Sequence, residues 1–291
     1  MKIKTWFIYA LITTLFWGVW GAFTEIPEKN GFPITMIYVL WSLTMIPPAL
    51  IAMRVINWKL DRNRKSILFG LVIGLLGAGG QLALFTGAIK NGPAYLIFPI
   101  ISLSPVVTIL LSLIFLKEKA SIRGWIGITV ALLAIPLLSY QDQNGDAHGL
   151  AWLIFAMVVF FAWGTQAFFM KLANQEMKAE SIFFYMMITG LLLAPVALVM
   201  TDFSEPINWG FEGPGLTLLI QTLNAVGALC IVYAFRFGKA IVVSPLTNAV
   251  APVITVILSL IIYKLIPHPV IITGILFAVT SVFLLAFEDN N

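Results

Sequence analysis

Charge is what this sequence has least of: 10% of its 291 residues are Asp, Glu, Lys or Arg, against 60% hydrophobic residues. With a mean hydropathy of +0.98, the chain has too little polar surface to coat a soluble globule, and lipid is the solvent for most of it. Cysteine is nearly absent. A single Cys230 excludes a disulfide framework or a thiolate metal site within one chain. The two histidines, His148 and His268, fall in connections between apolar runs. No HExxH, paired acids or Gly-x-Ser-x-Gly nucleophile accompanies them, so intramembrane hydrolysis has no base to use. No ionisable side chain stands near the middle of any apolar run, which argues against a proton relay on buried carboxylates.

What is abundant is apolar sequence in long runs. Stretches long enough to span a bilayer occur at roughly 5–24, 33–54, 66–90, 93–116, 121–140, 149–171, 179–201, 213–236, 240–264 and 267–287. They are continuous and twice the length of a transmembrane strand, so the expected class is an all-α integral membrane protein of ten transmembrane helices. Met1 to Lys4 followed by Trp6 reads as the start of the first helix, because no small-residue cleavage site follows and Glu25 to Lys29 closes the run.

Of the 17 basic residues, 14 fall at the N-terminus and on the even-to-odd connections; Lys29, Lys90 and Lys264 fall on the other side. The bias puts both termini in the cytoplasm. It also accounts for a pI near 9.2 without nucleic acid as a partner, since the basic residues flank spans on one side.

Sliding the chain on itself by 146 or 147 residues brings Trp17-Gly18 onto Trp163-Gly164, Tyr38 onto Tyr185, Pro48 onto Pro195 and Gly92 onto Gly238. It also brings Pro99 onto Pro245, Pro105-Val106 onto Pro252-Val253, Thr108 onto Thr255, and Leu111 to Ile114 onto Leu258 to Ile261. Two repeats follow, residues 1–145 and 146–291, each of five helices. Five is odd, so the second repeat enters from the opposite side, which is the inverted architecture of alternating access.

At these residues the chain resembles the drug/metabolite transporter superfamily, with its two tandem EamA-type domains. Phe16-Trp17-Gly18 and Ala162-Trp163-Gly164, Ala88-Ile89-Lys90 and Ala234-Phe235-Arg236, and Ser104-Pro105-Val106 and Ala251-Pro252-Val253 carry the likeness. Leu116-Lys117-Glu118-Lys119 looks like the family's Leu-Gly-Glu turn. The second half departs from it with Lys264-Leu265-Ile266, and Glu25 stands where Lys171 stands in the other half. Glu25 is thereby a candidate for binding an amine or a proton. The resemblance implies a multi-pass transporter of the cell (inner) membrane, in a family with both exporters and exchangers.

A carrier must replace part of its solute's hydration shell, so polar and aromatic side chains in the spans are the binding candidates. They are Trp17, Tyr38, Trp41, Gln81 and Tyr95 in the first half, and Trp163, Gln166, Tyr185, Asn224 and Asn248 in the second. The bland alternative is interhelical glue of about 0.6–2 kcal/mol per contact and an interfacial aromatic belt. Pro99, Pro105, Pro245 and Pro252 free backbone carbonyls in matched helices and are the gating candidates. Gly74, Gly77, Gly79 and Gly80 lack the Lys-Ser or Lys-Thr of a phosphate loop and predict close helix packing. The expected function is alternating-access transport, in the export direction, of a small amphipathic metabolite such as an amino acid, with no cofactor, no metal and no enzymatic activity. An exchanger or importer of nucleotide-sugars or phosphorylated metabolites is the alternative, although it would want several buried Lys or Arg. A channel is the other class, and would show a filter around an oligomeric axis; the sequence carries no signal for oligomeric state.

Overall fold

The computed structural model describes residues 4–89, 97, 101–138, 140, 151–263 and 268–286. Each apolar run carries helix among the described residues, and no strand occurs among them. In the first half these are α1 (Thr5–Phe23), a short α2 (Ile26–Lys29), α3 (Ile34–Thr44), α4 (Ile46–Val55), α5 (Arg64–Ala83), α6 (Pro105–Leu111) and α7 (Ile122–Leu138). In the second half they are α8 (Ala151–Ala173), α9 (Ala179–Val199), α10 (Leu216–Phe237), α11 (Ala240–Tyr263) and α12 (Pro269–Ala286). Among the described residues, and with α3 and α4 taken together as Ile34–Val55, six helical segments are long and apolar enough to cross a membrane, and four are shorter apolar helices.

Four expected helices are less regular than their hydropathy. The run 33–54 divides at Met45, where Pro47 and Pro48 in the first turn of α4 have no N–H to continue the ladder of α3. The wider π-helical turns Leu84–Ile89 and Ser112–Leu116 end α5 and α6, and a third, Phe211–Gly215, leads into α10. Hydropathy is blind to such changes of pitch.

Large apolar side chains such as Leu15, Ile51, Leu68, Phe115 and Leu192 point outward, as a lipid solvent favours, while Trp6, Tyr38, Phe183 and Phe235 fill the interior. Packing is reciprocal across the halves. α1 lies against α10 and α11 of the second half, and α8 lies against α5 and α6 of the first. A Cβ at Gly18 would meet Ile254 and the Ala251 carbonyl, and one at Gly164 would meet Val107 and the Ser104 carbonyl. Thr255 Oγ1 donates to the Gly18 carbonyl and Thr108 Oγ1 to the Gly164 carbonyl, both at 2.9 Å. Each member of these pairs is the other's partner under the 146 or 147 shift, which is what a pseudo-two-fold between two repeats produces.

The predicted close packing of the glycine cluster holds at Gly74, Gly77 and Gly80, which face Thr189, Gln166 and Trp163. Gly79 instead meets only Leu75 of its own helix.

Candidate functional site

Three indoles and two amides meet where α1 and α3 of the first half face α10 of the second. Trp41 Nε1 donates to Asn224 Oδ1 at 2.8 Å, Trp17 Nε1 to the Asn224 carbonyl at 3.2 Å, and Trp20 Nε1 to Gln221 Oε1 at 3.0 Å. Tyr38 packs against Trp41 at a 46° tilt, ring centroids 5.1 Å apart, and donates its hydroxyl to the Ala78 carbonyl of α5 at 3.0 Å. Asn224 and Gln221 are three apart on one face of α10, and α1 approaches closely enough because Gly227 offers no Cβ to Trp17.

An indole N–H can only donate, so the amide oxygens of Asn224 and Gln221 must face the tryptophans. Their NH₂ groups are turned the other way and carry no hydrogen bond among the described residues. Gln81 Nε2, in the last turn of α5 before its π-helical end, is buried without a partner among the described residues. The cluster therefore holds its acceptors satisfied and its donors unspent, with no cation in it. Such a lining complements a solute that brings acceptor oxygens and an apolar or aromatic body.

The other candidates are distributed elsewhere. Gln166 Nε2 donates to the Ile73 carbonyl at 3.1 Å, and Trp163 packs over Gly80, both at the mirrored interface of α8 with α5. Tyr185 donates to the Asp61 carbonyl at 2.8 Å. Asn248 Nδ2 donates to Ser244 of its own helix at 3.0 Å. Pro105 opens α6 after a break at 103–104, whereas α11 runs uninterrupted through Pro245 and Pro252. Tyr95 and Pro99 lie outside the described residues. Glu25 forms an exposed ion pair with Lys29 at 2.7 Å, four residues on.

Sequence reasoning passed over Gln221, which sits one turn from Asn224, and Glu180. The Glu180 carboxylate is buried at the start of α9, where Tyr233 donates to Oε1 at 2.7 Å and the Arg236 guanidinium lies 3.8 Å from Oε2. Its place in the first turn of an apolar run, beside Lys178, reads as a span end. A groove of about 710 Å³ between α5 and α8 is lined by Leu76, Leu153, Ile154, Met157 and Phe161 and opens outward. Its wall is almost wholly apolar and offers a polar solute few partners.

The profile of the EamA-like transporter family matches residues 4–140 and 150–287. The chain belongs to the EamA-like transporter family, and is a multi-pass membrane transporter. An uncharacterized protein of Methanocaldococcus jannaschii is 30% identical over 141 residues, which make up 48% of this chain and 100% of that one. An uncharacterized transporter of Archaeoglobus fulgidus is 29% identical over 163 residues, and the match spans 54% of each chain. A protein of known crystal structure shares the fold with a TM-score of 0.80, over 98% of this chain and 99% of that one, at 13% identity.

Proposed function

We propose that the protein is an alternating-access carrier of ten spans, with residues 1–145 and 146–291 as inverted repeats and both termini in the cytoplasm. It carries a small amphipathic solute with acceptor oxygens, such as an amino acid or a related metabolite, outward across the cell membrane. One observation carries this reading: in a membrane transporter, the NH₂ groups of Asn224 and Gln221 are oriented by indole donors and left unspent, beside three aromatic faces. The M. jannaschii relative, matched over its whole length by half of this chain, supports the half as a unit. Trp17, Tyr38, Trp41, Gln81 and Asn224 form the binding surface in this account. Trp163, Gln166 and Tyr185 serve the mirrored interface, Asn248 borders the path, and Pro105 is the hinge.

The test is a thermal-shift screen of purified protein against amino acids, nucleosides, sugars, sugar phosphates and cationic drugs, since a ligand bound to the folded state raises its apparent stability. Stabilisation by carboxylate-bearing amphipathic solutes, lost in Asn224→Ala and kept in Asn248→Ala, is the expected result. Stabilisation by sugar phosphates alone, or a shift that survives Asn224→Ala, refutes the assignment.

A further inference from the structure

Reciprocity between the halves extends to the two membrane ends. Asp61 Oδ2 accepts the Lys178 N–H at 2.9 Å, and at the matching positions the Asn208 N–H donates to the Gly31 carbonyl at 3.0 Å. At one place it fails. After the π-helical turn that ends α6, Lys117 takes a left-handed conformation at φ 52° and swings Glu118 onto the other half. Glu118 Oε1 accepts the N–H of Ala240 and Oε2 that of Ile241, both at 3.1 Å. These are the first residues of α11, whose leading N–H groups have no partner within the helix and favour an anion.

The site around this carboxylate is enclosed, with the side chain 9% exposed and Lys171 Nζ 4.0 Å away. Lys171 is itself fixed by the Gly238 carbonyl at 2.6 Å, and Lys239 Nζ reaches back to the Lys119 carbonyl at 2.8 Å. One turn further along α11, Ser244 Oγ lies 3.4 Å from Thr108 Oγ1 of α6, so the two halves are sealed beneath the carboxylate. A shift of 147 residues puts Leu265 at the place of Glu118. A leucine side chain accepts no hydrogen bond, so the opposite face cannot repeat the arrangement.

Building on the carrier reading above, we propose that Glu118 is a one-sided latch between the repeats, holding the face that bears Lys119 and Lys239 closed. The resting carrier is then sealed at that face, and the opposite face, where Leu265 replaces the carboxylate, opens first. Solute binding has to release two charge-assisted hydrogen bonds before the latched face opens. The two faces therefore differ in their opening free energy although the repeats are alike.

The test uses Ser244→Cys in a Cys230→Ala background, with a membrane-impermeant maleimide applied to inside-out vesicles. Ser244 is buried while the latch holds, so modification reports opening. Glu118→Ala is expected to raise the modification rate about a hundredfold, the factor for losing two hydrogen bonds to a charged group. Lys65→Ala, which removes an exposed ion pair with Glu176 at 2.6 Å, is expected to leave the rate unchanged. If Glu118→Ala does not fold, Glu118→Gln keeps one acceptor and raises the rate by about tenfold. An unchanged rate in a folded Glu118 variant, or an equal rise in Lys65→Ala, overturns the latch. Labelling needs no solute and the thermal-shift screen leaves Glu118 intact, so the latch and the carrier reading fail separately.

Discussion

Replacing Gly227 by alanine probes the contact on which the indole and amide cluster depends. The new Cβ would lie 2.6 Å from Cδ1 and Nε1 of Trp17. Carbon contacts relax at about 3.5–4.0 Å, so the ring must retreat by about 1 Å. Trp17 is not free to do so, because its Nε1 is held by the Asn224 carbonyl at 3.2 Å. Overpacking costs about 1–3 kcal/mol, and loss of the interhelical hydrogen bond adds about 0.6–1.7 kcal/mol, for a total of about 2–4 kcal/mol. Gly80→Ala is the internal control. There a Cβ would fall 2.6 Å from Trp163 Nε1, but no hydrogen bond of that indole to a described residue resists the shift, and the cost is about 1–3 kcal/mol. Reversible unfolding in mixed micelles, followed by tryptophan fluorescence, reads both. Gly227→Ala is expected to be the worse by about 1 kcal/mol, and Trp17→Phe in the same chain to erase that excess. Equal costs, or an excess that survives Trp17→Phe, would refute the reasoning.

Three further outcomes follow from the same geometry. Lys117 holds a left-handed φ of 52°, where glycine is unstrained, so Lys117→Gly is expected to stabilise the protein by about 0.5–1 kcal/mol in the same unfolding assay; a loss of stability contradicts this. A double-mutant cycle of Trp41→Phe with Asn224→Ala should give a coupling of about 1 kcal/mol for the 2.8 Å bond, and a coupling near zero would remove it. Burial raises the Glu118 carboxyl above its ordinary 4.5, opposed by the Ile241 and Ala240 N–H groups and by Lys171 and Lys239. A carboxyl with a raised folded-state pKa contributes stability in full below 4.5 and loses it as pH rises through the raised value. The Tm of wild type minus that of Glu118→Gln should therefore fall with rising pH across that window, and a flat difference would contradict it.

Much of the fold was legible because hydropathy and self-similarity are local or fixed-offset signals. Trp17-Gly18 and Trp163-Gly164 announced the repeat, and both pairs make the matching cross-half contacts. Glycine spacing in α5 likewise foretold close approach at Gly74, Gly77 and Gly80. Partnership was not legible. Trp17 and Asn224 are 207 residues apart and Trp20 and Gln221 are 201 apart, and nothing in either segment names the other. Asn224 stood out as an amide in an apolar run, while Gln221, which carries the same signal eight residues inside that run, was passed over. The break at Met45 and the three π-helical turns were illegible for another reason: they change helical pitch without changing polarity. Glu118 was visible as a loop acid, but its role depends on a left-handed Lys117 that sequence pattern disfavours.

The central claim is that the protein is a carrier whose solute meets Asn224. Counterflow in proteoliposomes tests it most directly: vesicles are loaded with an unlabelled amphipathic amino acid, and uptake of the labelled solute from outside is followed. The account predicts a transient accumulation above equilibrium in wild type, absent in Asn224→Ala and preserved in Asn248→Ala. Simple equilibration without overshoot would mark a channel, and accumulation that persists in Asn224→Ala would place the solute elsewhere.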